Sequence, residues 1–151
     1  MNRAEPADRI AVGDLEIRFL IESNDANGAL TMFECRVPVN ARMPAPHSHD
    51  AFDETIYGLE GVCTWTVDGR TRDIGADDAL CVLRGSIHGF ANVGSTEARF
   101  LAIATPGVFG PAYFEEIGEV LARADGPPDH AAIAQVMRRH GLTPAPPTNH
   151  R

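Results

Sequence analysis

The chain has 151 residues, 13 basic against 21 acidic side chains, a formal net charge of −8, and hydrophobic and charged fractions of 44% and 23%. One globular domain with a sizeable core is expected at this length, and the acidic balance argues against nucleic acid or an anionic membrane surface as partner. No apolar run approaches the roughly 20 residues of a membrane helix and the N-terminus does not resemble a signal peptide, so a cytoplasmic location is expected.

All 13 basic residues are arginine, which excludes Schiff-base or general-base chemistry by lysine. Cys35, Cys63 and Cys81 are odd in number and sit in apolar runs. They read as reduced, buried hydrophobes rather than a disulfide framework. Residues 1–9 are polar and predict a loose arm. Leu15 to Ile21 is the first strand, and Ser23 to Gly28 is a cluster of turn formers ending in Asn27-Gly28, which predicts a hairpin. Leu30 to Val37 is the return strand, with Phe33, Cys35 and Val37 on one face and Glu34 and Arg36 on the other. Pro38, Pro44 and Pro46 then break the ladder and bring the chain to His47 in an extended conformation.

His47 and His49 are two positions apart, so an extended chain points both to one side, whereas a helix would splay them. Glu54 lies at an odd offset from His49 and needs a bend or bulge to rejoin them; Asp50 and Asp53 make a break plausible there. Gly61 supplies the next turn. Val62 to Val67 and Arg70 to Ile74 flank Asp68-Gly69, a strong hairpin signal, and place Cys63, Trp65 and Val67 on one face. Ala79 to Leu83 is a short strand leading to His88, which is flanked by Gly85 and Gly89, and Phe100 to Ala104 closes the set. About eight to ten short strands with turns between them indicate a sandwich or barrel.

Beyond Thr105-Pro106-Gly107 the apolar period becomes helical. Pro111 opens a first helix, with Glu115 and Glu116 read as acidic residues of its first turn and Phe114, Ile117 and Leu121 on its apolar face. Asp129 caps a second, which Gly141 stops. Residues 142–151 predict a proline-rich tail. His130, His140 and His150 read as solvated surface residues. His47, His49, Glu54 and His88 remain as a candidate metal set, and imidazole with carboxylate suits one divalent transition metal, Fe, Mn, Ni, Cu, Co or Zn, better than Ca or Mg.

His47, His49, Glu54 and Gly61 resemble the first sequence motif of the cupin superfamily in type and spacing, and Gly85, His88 and Asn92 resemble the second half of its second motif. Two positions depart from the pattern: Asp77 stands where glycine is usual and Leu83 where proline is usual. The resemblance spans roughly residues 28–104. It implies a single all-β domain, a double-stranded β-helix (jelly-roll) cupin barrel over about residues 10–105. The two C-terminal α-helices, over about 111–141, resemble the extension of single-domain quercetin-dioxygenase-like cupins.

The resemblance further implies a metal held by His47, His49, Glu54 and His88, with Glu54 also able to take a proton from a bound enol or hydroxyl. Four protein ligands leave two positions of a six-coordinate ion open, which suits catalysis rather than structural zinc. Phe52, Tyr57, Trp65, Phe90 and Phe100 are available as pocket residues for a small aromatic, enolic or diketone substrate. The expected activity is that of a metal-dependent dioxygenase. The alternatives are a non-redox isomerase, decarboxylase or lyase, or a small-molecule-binding protein without catalysis. A homodimer is expected, held by an apolar outer sheet face and the N-terminal arm. Metal release is expected as pH falls below about 6.5, the reference histidine pKa.

Overall fold

The computed structural model describes residues 8–146. Within them lie eleven strands: β1 (Arg9–Val12), β2 (Leu15–Ile21), β3 (Thr31–Val37), β4 (His47–His49), β5 (Asp53–Glu60), β6 (Cys63–Val67), β7 (Arg70–Ile74), β8 (Ala79–Val82), β9 (His88–Ala91), β10 (Ala98–Thr105) and β11 (Leu142–Pro144). Two helices, α1 (Pro111–Arg123) and α2 (His130–Arg139), separate the last two strands. The strands form a six-stranded sheet in the order β1-β2-β3-β10-β5-β8 and a five-stranded sheet in the order β11-β4-β9-β6-β7. Every pairing is antiparallel. This is the jelly-roll barrel expected.

Period-2 patterning builds the core between the sheets. On β10, Ala98, Phe100, Ala102 and Ala104 are buried while their neighbours are half-buried, and on β2 Leu15, Ile17 and Phe19 do the same. Burying each such large side chain stabilises the fold by about 1.5 to 3 kcal/mol. The opposite face of the six-stranded sheet is in part charged. Glu34, 6% exposed, accepts from Arg18 at 2.9 Å and lies 3.2 Å from Arg99. Burial works to raise the Glu34 carboxyl, but the two guanidiniums outweigh it and hold it below its usual range.

Several local expectations change. The reversal after β2 is not a two-residue turn: Ser23–Ala26 form a 3-10 turn, with Asn27 and Gly28 at φ 51° and 77° carrying the chain back. The hairpin at Asp68-Gly69 forms as read, with φ 48° and 80°. The arm expected over residues 1–9 gives way at Arg9 to β1, paired with β2. Residues 1–7 and 147–151, with half of the expected tail and His150, lie outside the described residues. Residues 142–144 are not tail but strand: β11 pairs with β4, Leu142 opposite His49 and Pro144 opposite His47. Pro144 is tolerated because β11 is the edge of its sheet. Cys35 and Cys63 are buried, but Cys81 is exposed, because on β8 it alternates with inward-facing Leu80 and Val82. Helix α1 starts at Pro111 with no acidic residue in its first turn, so Glu115 and Glu116 fall beyond it.

Two of the glycines with no room for a side chain shape the approach of neighbouring elements. A Cβ on Gly118 of α1 would meet the Ala11 carbonyl oxygen at 2.4 Å, so its absence lets α1 lie directly on β1. Gly61, at φ 60°, turns the chain from β5 in one sheet to β6 in the other, and a Cβ there would meet the Glu97 carbonyl oxygen at 2.4 Å. Gly61→Ala is expected to cost about 2 kcal/mol or more, from left-handed strain and the clash together. Urea unfolding checks this, and an unchanged midpoint would show that the turn relaxes freely.

Candidate metal centre

The five-stranded sheet brings the histidines together. His47 and His49 sit on β4, and His88 opens the neighbouring β9, directly opposite His47. Ring centroids are 5.2 Å apart for His47–His49, 4.8 Å for His47–His88 and 4.5 Å for His49–His88. One nitrogen from each of the three lies within 4.8 Å of the others, the spacing of a group that could hold a metal ion.

Glu54 reaches the same cavity by a route the spacing did not indicate. The expected break takes the form of a bend at Asp50 and Ala51, and residues 50–52 carry the chain from the five-stranded sheet to the six-stranded one, so that each sheet turns its inner face to the barrel axis. The odd offset is thereby cancelled. Glu54 is 6% exposed and lines the cavity with His47, His49 and His88. β11 clamps this corner from outside. Thr143 donates to Asp50 at 2.7 Å, the Asp50 amide donates to the Gly141 carbonyl at 2.8 Å, and the Ala145 amide to that of Pro46 at 2.9 Å.

The surroundings keep the imidazoles neutral. Burial first, then the neighbouring His88, lowers His47 to about 4, against a smaller opposing pull from the Ala45 carbonyl. Burial, with His88 and His47 beside it, lowers His49 to about 2, and burial lowers His88 as well. The Nδ1 atoms of His47 and His88 lie 2.9 and 3.0 Å from the carbonyls of Ala45 and Ser86, so Nδ1–H donates and Nε2 is the free lone pair. Burial pushes the Glu54 carboxyl up to about 7.

A cation fits these donors. The Nδ1 of His49 is buried without a hydrogen-bond partner, and the Glu54 carboxyl has none among the described residues. Buried polar groups are ordinarily satisfied, so two orphans beside two further imidazole lone pairs call for an electrophile between them. Nitrogen donors with at most one carboxylate favour a transition metal.

The aromatic residues divide. Trp65, Phe90 and Phe100 line the cavity. Phe52 is not in its wall but behind it, stacked on His49 at 4.2 Å and fixing that ring. Tyr57 is on the outside, 38% exposed, and donates to Asp77 at 2.7 Å. Asp77 itself adopts φ 67°, so the position where glycine is usual keeps a left-handed conformation that aspartate tolerates. Beyond Phe33 on β3, three further aromatic wall residues were not read as such in the sequence: Phe109, Tyr113 and Phe114, from the start of the helical extension. Their signal was an aromatic cluster directly after the last barrel strand. His140 is not simply solvated either. It is half-buried, pairs through Nε2 with Glu116, and stands edge-on to Tyr113 at 5.7 Å. His130 is exposed.

Comparison with known proteins bears on the class of this jelly-roll barrel. Residues 33–104 match the Cupin domain family. This match, with the curated relative below, supports a cupin superfamily member. The chain is 27% identical over 112 residues to the quercetin 2,3-dioxygenase of Bacillus subtilis (strain 168), covering 74% of this chain and 32% of that protein. The chain thus spans about a third of the length of the curated relative it matches. Among solved structures, the polyketide cyclase RemF of Streptomyces resistomycificus superposes with a TM-score of 0.60 at 25% identity, covering 88% of this chain and 98% of that one. A predicted oxalate decarboxylase of Thermotoga maritima gives 0.60 at 23% identity, covering 70% and 98%. No helix of the described residues is long and apolar enough to cross a membrane.

Proposed function

We propose that this cupin is a metal-dependent dioxygenase acting on a small aromatic, enolic or diketone substrate. The observation that carries the reading is the convergence of three neutral imidazoles and one unpartnered carboxyl on a cavity otherwise walled by aromatic and aliphatic groups. His47, His49, His88 and Glu54 would hold the metal, which when bound supplies Lewis acidity and, as iron, manganese, nickel or copper, a redox centre.

The chain's own residues do the rest. Phe33, Phe90, Phe100 and Trp65 exclude water and favour an apolar reacting group over a sugar or a phosphate. Glu54 is the one carboxyl in the cavity wall among the described residues, and a buried carboxyl near neutrality is suited to accept the proton of an enol or phenol hydroxyl. Glu54→Gln is accordingly expected to lower turnover by about 100-fold while metal content falls much less. Metal analysis alongside initial rates checks this; parallel loss of both would make Glu54 a ligand only.

The reading itself is tested by oxygen-electrode traces of the iron-, manganese-, nickel- and copper-loaded protein against a panel of phenols, enols and diketones. Oxygen uptake with at least one pair supports it. The likeness to a polyketide cyclase over 88% of the chain favours a second reading, non-redox chemistry on the same substrate class. Substrate consumed with dissolved oxygen untouched would put that reading in place of the first.

A further inference from the structure

The cavity at the histidine cluster is small, about 60 Å³. A cavity of about 150 Å³ accommodates benzene, so this one takes the reacting oxygens of a substrate but not its ring. Beside it lies a chamber of about 410 Å³ between α1, α2, β1 and the segment from Arg42 to Ala45. Val12, Pro44, Ala45, Tyr113 and Ile117 line both spaces, so the two share a wall. That wall contains an unused polar group. Tyr113 is 4% exposed and its hydroxyl has no hydrogen-bond partner among the described residues. It lines the histidine cavity together with Glu54.

Resting on the function proposed above, we infer that the chamber binds the body of the substrate, an apolar ring system or chain, whose enolic or phenolic head passes Tyr113 to reach the histidine cluster. Leu121, Ile133, Met137 and Met43 give the chamber an apolar interior, and its rim is polar, with His130 exposed and the Arg42 side chain 88% exposed beside Asp14. A molecule with an apolar body and a polar outer end is complementary to it. The wall shared with the histidine cavity, five residues common to both linings, favours a substrate rather than a second protein as occupant. The substrate class narrows accordingly: compounds larger than a single unsubstituted ring are preferred. Tyr113 serves as a positioning residue, its free hydroxyl available to the head group as it enters.

Calorimetric titration of the metal-loaded full chain with catechol and with 4-hexylcatechol tests the inference. The hexyl group is expected to raise affinity by about tenfold or more, from burial of its methylenes. Ala122→Phe and Met43→Phe narrow the chamber from two sides; Ala122 is exposed, so the ring needs no repacking of the core. Both are expected to remove most of the hexyl advantage, a fall of about tenfold in the ratio of the two affinities. A ratio unchanged in both variants, or no hexyl advantage in the unsubstituted chain, overturns the inference. His49→Ala isolates the other reading. If metal content and catechol binding survive it, or if catechol does not bind the unsubstituted chain, the metal-site assignment fails. The chamber is then judged on 4-hexylcatechol alone: weakening by Ala122→Phe and Met43→Phe upholds it, and unchanged affinity overturns it.

Discussion

His49→Ala is expected to come out of purification without bound metal and to lose any metal-dependent activity with it. His49 is 2% exposed, and its ring is held from behind by Phe52. No other imidazole or carboxyl among the described residues stands in the cavity wall to replace it. Loss of an outer-shell partner alone costs about 10- to 100-fold in metal affinity, so loss of a ligand is expected to exceed about 100-fold. A second readout is independent of turnover. At a metal concentration of about 100 times Kd, binding stabilises the folded chain by about 2.7 kcal/mol. A chelator should therefore lower the unfolding midpoint of the unsubstituted protein and leave that of His49→Ala unmoved. Stoichiometric metal in the variant would show that the assignment is wrong.

The metal-free protein is expected to lose stability on acidification from pH 7 to pH 5, and the sign follows from four buried groups. His47, His49 and His88 are all lowered from 6.5 in the folded chain, so below that pH the unfolded chain binds more protons and folding is disfavoured. For His47 the loss continues down to about 4, and for His49 to about 2. Glu54 acts the other way. Its folded value is raised from 4.5 to about 7, so its contribution favours the folded chain at low pH and is lost as pH rises through that window. Three groups oppose one between pH 4.5 and 6.5, and a net slope of about 1 to 3 kcal/mol per pH unit is expected. Urea midpoints across this range measure it. Glu54→Gln should steepen the slope, since it removes the opposing group. A midpoint that is flat or rises on acidification would mean that the histidines are not held neutral. With imidazoles this reluctant to protonate, the release of metal expected near pH 6.5 shifts to lower pH.

Much of this site was legible in residue spacing. His47 and His49 share a face because strand side chains alternate, and the same parity on β9 puts Phe90 on the side of His88. Parity also contains two answers that were not drawn from it. Tyr57 is three positions from Glu54 on β5 and must face outward if Glu54 faces in, as it does. Cys81 lies between Leu80 and Val82 on β8 and is outward for the same reason. Both misplacements came from reading residue type ahead of position.

By itself the sequence determined most of the strands, the Asp68-Gly69 hairpin, the two helices and the three histidines, because each depends on dihedral preference or periodicity within a few residues. Only the tertiary structure decided how Glu54 joins them, since a change of sheet over residues 50–52 reverses the parity that a single strand would impose. It alone paired Leu142–Pro144 with the histidine strand, through a hydrogen bond between Thr143 and Asp50, 93 positions apart. It alone set Phe109, Tyr113 and Phe114 against the barrel mouth and opened a chamber behind them. These are contacts between segments far apart in the chain. They follow from which apolar faces remain to be covered once the sheets have formed, and local periodicity has no information about that.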